Sequence, residues 1–394
     1  MASTSTIPNA GATTGTSSLS LDLSTATFKR LHPRTYLERF LTSHIREDGR
    51  LFSTWRPTSA VMGAISSAEG SCLVRMGVTT VVAGIKAEVA KPDIARSTTS
   101  SHSSGTAAKA SAGWLVPNIE ISPLSSARGR PGPPTEEGQL LCDRLTDLLA
   151  SPSRPVIDVT SLCIQPGVAA WCLYLDITVV SNDGNVLDAA MLAAIGALMD
   201  TRLPKATFHE RTNRVICSDD PANSAPLPLL SLPFSSSFGI YEGAHLLSDP
   251  SSFEAAFTAS SHIVVGLSEW TEEGSTWARA VASFENDSEA QDGAQHSMDT
   301  DEDFKGDEGL NHLAITYLHQ VGRCRALLPP DELQGPANRE QPSALLTPLQ
   351  VITSCLAKAK RRYAELKGVL ETARSEAHSK RIEEQKAGVR TSDE

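Results

Sequence analysis

The run AWCLYLDITVV, Ala170 to Val180, is almost wholly apolar. A strand of that composition has no face to offer to water, so it belongs in the middle of a sheet covered on both sides. SNDGN, Ser181 to Asn185, then turns the chain directly into VLDAAMLAAIGALMD, whose small residues let a helix approach a sheet closely. A buried strand followed at once by such a helix demands helices layered on a sheet, which is the α/β class. With 394 residues, 40% of them hydrophobic, the chain can bury a sizeable core in one large domain or two ordinary ones.

The flanking sequence supplies the other layers. Tyr36, Phe40, Leu41 and Ile45 recur at helical spacing in FKRLHPRTYLERFLTSHI, with Pro33 near the start. REDGR, Arg46 to Arg50, is a charged turn built around Asp48 and Gly49. ISSAEGSCLVRMGVTTVVAGIKAEVA, Ile65 to Ala90, reads as two strands joined at Gly77-Val78, a glycine-first connection that suits the twist of a hairpin. Val81, Ala83, Ile85, Ala87 and Val89 share one face of its second strand, with Lys86 and Glu88 on the solvated other. Pro133, Pro134 and Thr135, followed by Glu136 and Glu137, open a helix with an apolar stripe of Leu140, Leu141, Leu145, Leu148 and Leu149. Further strands fit ATFHERTNRVI, SSFGIYEGAHLLSD and SHIVVGLSEW, and a short helix fits PSSFEAAF.

These readings divide the chain as follows. Residues 1–26 are a Ser/Thr/Gly/Ala-rich tail expected to be disordered, and 27–283 form the main domain, with a flexible insertion at 95–113. Residues 284–343 are an acidic and proline-rich insertion, in which NHLAITYLHQVGRCRALL reads as a helix over 311–328 ended by Pro329-Pro330. A C-terminal helix over 344–372 carries a single apolar seam of Leu345, Leu349, Ile352, Leu356, Ala359, Tyr363, Leu366 and Leu370, and 373–394 is a charged tail.

Bulk properties exclude several functions. A net charge of −11 repels nucleic acid at long range, so any RNA contact must be local or lent by a basic partner. No apolar run approaches the roughly 20 residues that span a bilayer, and the N-terminus has neither the basic region nor the apolar core of a secretory signal. Seven scattered cysteines without a CxxC pair read as reduced, buried thiols of an intracellular protein, with no zinc site.

The blocks REDGRLFSTWRPTSAVMGAISSAEGSCLVRMGVTTVVAGIKAEVA, PLSSARGRPGPPTEEGQLLCDRLTDLL, LCIQPGVAAWCLYLDITVVSNDGNVLDAAMLAAIGAL and FGIYEGAHLLSDPSSFEAAFTASSHIVV together resemble the ribonuclease PH family. They are most similar to the RNase PH-like ring subunits of the eukaryotic RNA exosome, over about residues 28 to 280 and the terminal helix. The resemblance implies an α/β (α+β), RNase PH-like β-α-β-α fold with mixed sheets and a long C-terminal helix. It implies as partners other RNase PH-like subunits in a hetero-hexameric ring, S1/KH-type cap subunits, associated hydrolytic ribonucleases and RNA in the central channel, with no membrane. It also implies work in the nucleus, nucleolus and cytoplasm.

Phosphorolysis needs cations and N–H donors that hold inorganic phosphate against the last phosphodiester. The resemblance places the first part of that machinery at SSARGRPGPPTEE, where Arg128 and Arg130 are candidate RNA-binding residues. Three prolines there remove backbone donors, and Glu136 and Glu137 add negative charge. The catalytic acid is expected at Ser260, Ser261 and His262, yet no Asp or Glu occurs from Ala255 to Leu267. The expectation is therefore an RNA-channel subunit with no catalytic residues, metal or cofactor; the alternative is a phosphate-dependent 3′-to-5′ exoribonuclease. A third reading makes the acidic stretch 285–308 and the long helix a docking module. Arg75 reads as a surface or interface charge, His262 as a satisfied, partly buried histidine, and Asp176 and Asp188 as supports of the SNDGN turn.

Overall fold

A computed structural model describes residues 25–92, 113–125, 135–151, 154–218, 223–271, 275, 313–324, 326–327 and 345–392, with side chains described to 383. The N-terminal tail to 24, most of the 95–113 insertion, Arg128, Arg130 and the acidic stretch 285–308 lie outside the described residues.

The chain opens with helices α1 (Thr25–Leu31) and α2 (Pro33–Thr42). Pro33 sits in the first turn of α2, where its missing N–H costs nothing. Strands β1 (Thr58–Met62), β2 (Gly70–Met76), β3 (Thr79–Ala90) and β4 (Trp114–Ile121) lead to α3 (Glu136–Leu149). Then come β5 (Cys163–Gln165), β6 (Ala169–Ser181), α4 (Val186–Asp200), β7 (Arg202–Leu203), β8 (Ala206–His209), β9 (Arg214–Cys217) and β10 (Ala225–Pro226). The second half contains β11 (Ser231–Tyr241), β12 (His245–Ser248), α5 (Ser252–Thr258), β13 (His262–Trp270), β14 (Ala314–Val321), β15 (Ala326–Leu327), β16 (Leu345–Leu346) and α6 (Pro348–Ser392).

Two sheets dominate. The first runs β1-β2-β3-β6-β4 and is mixed, because β6 pairs antiparallel with β3 and parallel with β4. The second runs β12-β11-β13-β14 and is antiparallel throughout. Helix α4 packs against β2 and β3 of the first and β11 of the second. Val186 to Leu198 are all buried, so the helix has no polar face. A Cβ on Gly196 would lie 2.5 Å from Cys72 Sγ, which is why a small residue stands there. Val74, Val81, Ala83, Ile85, Leu175, Ile177 and Phe238 complete this shared core.

Strand β6 is central as expected, but only its first half is covered on both faces. Asp176, Thr178 and Val180 are exposed. Leu140 is likewise exposed, outside the buried stripe of α3.

Two expectations need correction. The helix expected over 311–328 is instead β14, paired with β13 from His262↔Val321 to Ser268↔Ala314. AITYLHQV is rich in β-branched and aromatic residues, and the open edge of β13 offered it a ladder; a short apolar run cannot by itself distinguish the two periods. The C-terminal helix does not stop near 372. It continues to Ser392, burying Ala373 and Ala377 and pairing Arg381 with Asp200 at 2.6 Å. Higher up, Arg362 donates to Thr58 Oγ1 (2.6 Å) and Tyr363 to the Leu232 carbonyl (2.8 Å). One helix thus ties both sheets together.

The seven cysteines are free thiols. Cys72, Cys172, Cys324 and Cys355 are buried as expected, but Cys142, Cys163 and Cys217 are only half-buried. Burial pushes the Cys72 thiol up to about 12, which makes it unreactive.

Candidate phosphate and RNA interface

The family resemblance puts phosphorolytic machinery at two places in this fold. At the first, Thr135 adopts an extended backbone and its Oγ1 accepts from Gly138 N (3.2 Å), the side-chain cap that starts α3. Glu136 and Glu137 follow in the exposed first turn, so the dipole end of α3 already faces its own carboxylates.

At the second, α5 hands over to β13. Ser261 N donates to the Thr258 carbonyl (2.9 Å), and the Ser261 carbonyl accepts from Ile240 N (2.9 Å), so the turn is fixed by backbone bonds. His262 begins the strand, half-buried, with Nδ1 3.3 Å from the Ala259 carbonyl. Burial, reinforced by the charge of Arg144 and partly offset by that carbonyl, holds its imidazole below the usual histidine range. This matches the reading of a satisfied, partly buried histidine.

The carboxylates on the adjoining elements, Asp249, Asp188 and Glu254, are engaged elsewhere. Asp249 is fully buried and accepts from Arg56 N (3.0 Å), Nε (2.8 Å) and Nη2 (2.7 Å), from Asn185 Nδ2 (2.7 Å) and from Arg50 Nη1 (3.1 Å). Burial alone would raise the Asp249 carboxyl, but the Arg56 contacts outweigh it and hold the group at about 2. Arg56 also donates to the carbonyls of Asp183 (2.9 Å) and Gly184 (3.1 Å), clamping the SNDGN turn. Asp188 is buried and accepts from Ser235 Oγ (2.7 Å), Ser237 N (2.8 Å), Ser237 Oγ (3.0 Å) and Asn185 Nδ2 (2.8 Å). Burial pushes its carboxyl up despite those bonds. It fills the N-terminal turn of α4, and a phosphate arriving there would meet a buried acid. Arg46 completes the knot: it forms an ion pair with Glu254 (Nε to Oε1 2.9 Å) and donates to the carbonyls of Ser248 (2.6 Å) and Asp249 (2.8 Å). Glu254 in turn closes a capping box with Ser251.

Sequence reasoning took REDGR as a charged turn and missed that Arg46 and Arg56 enter the interior. Their partners lie some 200 residues away, where no local pattern could reveal them. Asp188 serves as the expected support of the turn, while Asp176 is exposed and accepts from Asn118 Nδ2 (3.2 Å). Arg75 is exposed, its Nε donating to the Gly77 carbonyl (3.1 Å). Lys86 is exposed and pairs with Glu69 (3.1 Å). No group of His, Cys, Asp and Glu among the described residues could hold a metal ion.

A mixed sheet and an antiparallel sheet clasping one almost wholly buried helix, braced by a long terminal helix, are the α/β arrangement that the resemblance to the RNase PH family implies. Residues 54–204 match the model of the 3′ exoribonuclease family, domain 1. The chain is 35% identical over 234 residues to exosome complex component rrp43 of Schizosaccharomyces pombe, covering 59% of this chain and 80% of that protein. It is 33% identical over 217 residues to exosome complex component Rrp42 of Pyrococcus furiosus, covering 55% and 72% respectively. Among solved structures, the Archaeoglobus fulgidus exosome with RNA bound to the active site superposes with a TM-score of 0.49 at 30% identity, over 60% of this chain and 82% of that one. The chain belongs to the RNase PH family.

Proposed function

We propose that this subunit is non-catalytic: it builds the wall of an RNA-threading channel and leaves 3′-to-5′ processing and degradation to associated nucleases. One observation carries the reading. The start of β13, where phosphorolysis needs a carboxylate, holds Ser260, Ser261 and His262, while Asp249, Glu254 and Asp188 are locked into internal bonds. A carboxylate with its lone pairs occupied and no path to solvent cannot shuttle a proton to a leaving group. Its partners on this reading are further RNase PH-like subunits in a hetero-hexameric ring, S1/KH-type caps and hydrolytic ribonucleases, in the nucleus, nucleolus and cytoplasm. Arg128 and Arg130 are the proposed RNA contacts, contributing to a shared path that an acidic chain does not form by itself.

The test is direct. The purified full chain, given inorganic phosphate and an oligoadenylate, is expected to release no nucleoside diphosphate. It is also expected to co-purify from cells with ring companions. Phosphate-dependent release that disappears in Arg128→Ala/Arg130→Ala would establish the enzyme instead.

A further inference from the structure

His262, described above at the start of β13, also belongs to a wider group of side chains in which the Arg144 guanidinium has no bonded counter-charge among the described residues. The pairing of β13 with β14 sets Val264 opposite His319, Gly266 opposite Tyr317 and His262 opposite Val321. Alternate residues along each strand share a face, so His262, Val264 and Gly266 line up beside Val321, His319 and Tyr317. Helix α3 lies over that face. A Cβ on Gly266 would come 2.7 Å from Leu148 Cδ2 and 2.8 Å from Tyr317 Cβ, which fixes where the helix touches the sheet. Arg144 stands one helical turn before Leu148 and on the same side of α3. The charge of Arg144 acts on His262, His319 and Tyr317 alike.

The contents of this niche are chemically one-sided. The rings of His262 and His319 are 5.7 Å apart, and Tyr317 stacks on His319 at 6.2 Å with planes 10° from parallel. His319 Nδ1 is buried with no hydrogen-bond partner. The Arg144 guanidinium, half-buried, makes no ion pair or hydrogen bond with any described residue. Among the described residues, the carboxylate that acts on Tyr317 is Asp147, exposed on α3. The guanidinium charge disfavours a metal ion beside the two imidazoles, and its N–H donors suit an oxyanion.

We propose that Arg144, His262 and His319 form a binding site for a phosphate group, with the Tyr317 ring as its side wall. The site shares no residue with Arg128 and Arg130, and it does not depend on the chain being catalytically inert. The Ala259 carbonyl takes the Nδ1 proton of His262, leaving Nε2 as the atom that gains a proton when the anion arrives. Both imidazoles are held below their usual range by burial and by Arg144. A bound oxyanion compensates those effects, so binding takes up protons and tightens as pH falls.

The experiment uses the full chain and two probes: inorganic phosphate, and an oligoadenylate without terminal phosphate, whose charge is constant between pH 6 and 8. Binding is followed by fluorescence anisotropy for the oligonucleotide and by calorimetry for phosphate, with imidazole titrations read by NMR. The expected result is oligoadenylate binding about tenfold tighter at pH 6 than at pH 8, or phosphate binding that raises the titration points of His262 and His319. Arg144→Gln removes either effect and Arg144→Lys restores part of it, with unchanged circular dichroism. Binding of the oligonucleotide alone assigns the site to backbone phosphodiesters, and binding of phosphate alone to the free ion. No binding of either probe, or binding indifferent to Arg144→Gln, overturns the site.

Discussion

Two polar regions of this molecule contrast. Around the SNDGN turn, Arg46, Arg50 and Arg56 meet Glu254 and Asp249 in the interior, and Asp188 beside them is satisfied by two serines and an asparagine. Every charge there has a counter-charge or a set of donors, and the strands, turn and helices they join are held in one arrangement. Over the β13–β14 face, Arg144 and two histidines are gathered, and among the described residues only the exposed Asp147 offsets them. Burying a charge is costly unless it is paired. The first cluster therefore reads as scaffold, and the second as a site that waits for something.

The contrast breaks if the two clusters respond alike to mutation. Arg46→Ala leaves Glu254 buried and unpaired, and is expected to cost about 3–5 kcal/mol in chemical denaturation. Replacing Arg46 and Glu254 together with Met and Leu should recover much of that loss. A loss below about 1 kcal/mol for the single change would remove the scaffold from the argument.

Acid gives the next largest effect. The Asp249 carboxyl sits at about 2 in the folded protein, below its ordinary 3.8. A carboxyl depressed by folding contributes stability that is present above pH 4 and lost as pH falls towards 2. The contribution is roughly 2–3 kcal/mol. Asp188 works in the opposite sense, since its raised carboxyl lets the folded state take up a proton more readily. Denaturation curves of Asp249→Asn should show a flatter acid limb than those of the parent chain.

Smaller still is Arg381→Ala, which removes a partly exposed ion pair to Asp200 from the far end of α6. It should cost less than about 1 kcal/mol and be masked by salt. The smallest effect is expected at the other cluster: Arg144→Gln should shift stability by no more than about 0.5 kcal/mol. A loss of several kcal/mol there would make Arg144 scaffold too, and the contrast would vanish.

Much of the fold was legible beforehand because its elements announce themselves locally. The AWCLYLDITVV strand, the small-residue helix behind it, the glycine-first hairpin and the Thr135 cap all stand where their patterns put them. The reading of 311–328 as a helix went wrong because its apolar part, AITYLHQV, carries too little periodicity to outweigh the free edge of β13. The extent of α6 was missed because Ala373 and Ala377 are too small to mark a buried seam by themselves. For the candidate sites, His262 and the lack of an acid beside it were visible in the sequence, whereas Arg144 and His319 were unremarkable residues on separate elements.

Local composition thus determined the layers of this protein, since periodicity and capping act over a few residues and are written in consecutive letters. It also determined that no carboxylate could stand at the start of β13. Which charges are neutralised and which are left open was decided only by the tertiary structure. Arg46 finds Glu254, and Arg144 finds two histidines but, among the described residues, no counter-ion in bonding contact, through packing that joins segments far apart in the chain. Electrostatic interaction depends on distance in space and on burial, and neither is recorded in the order of residues.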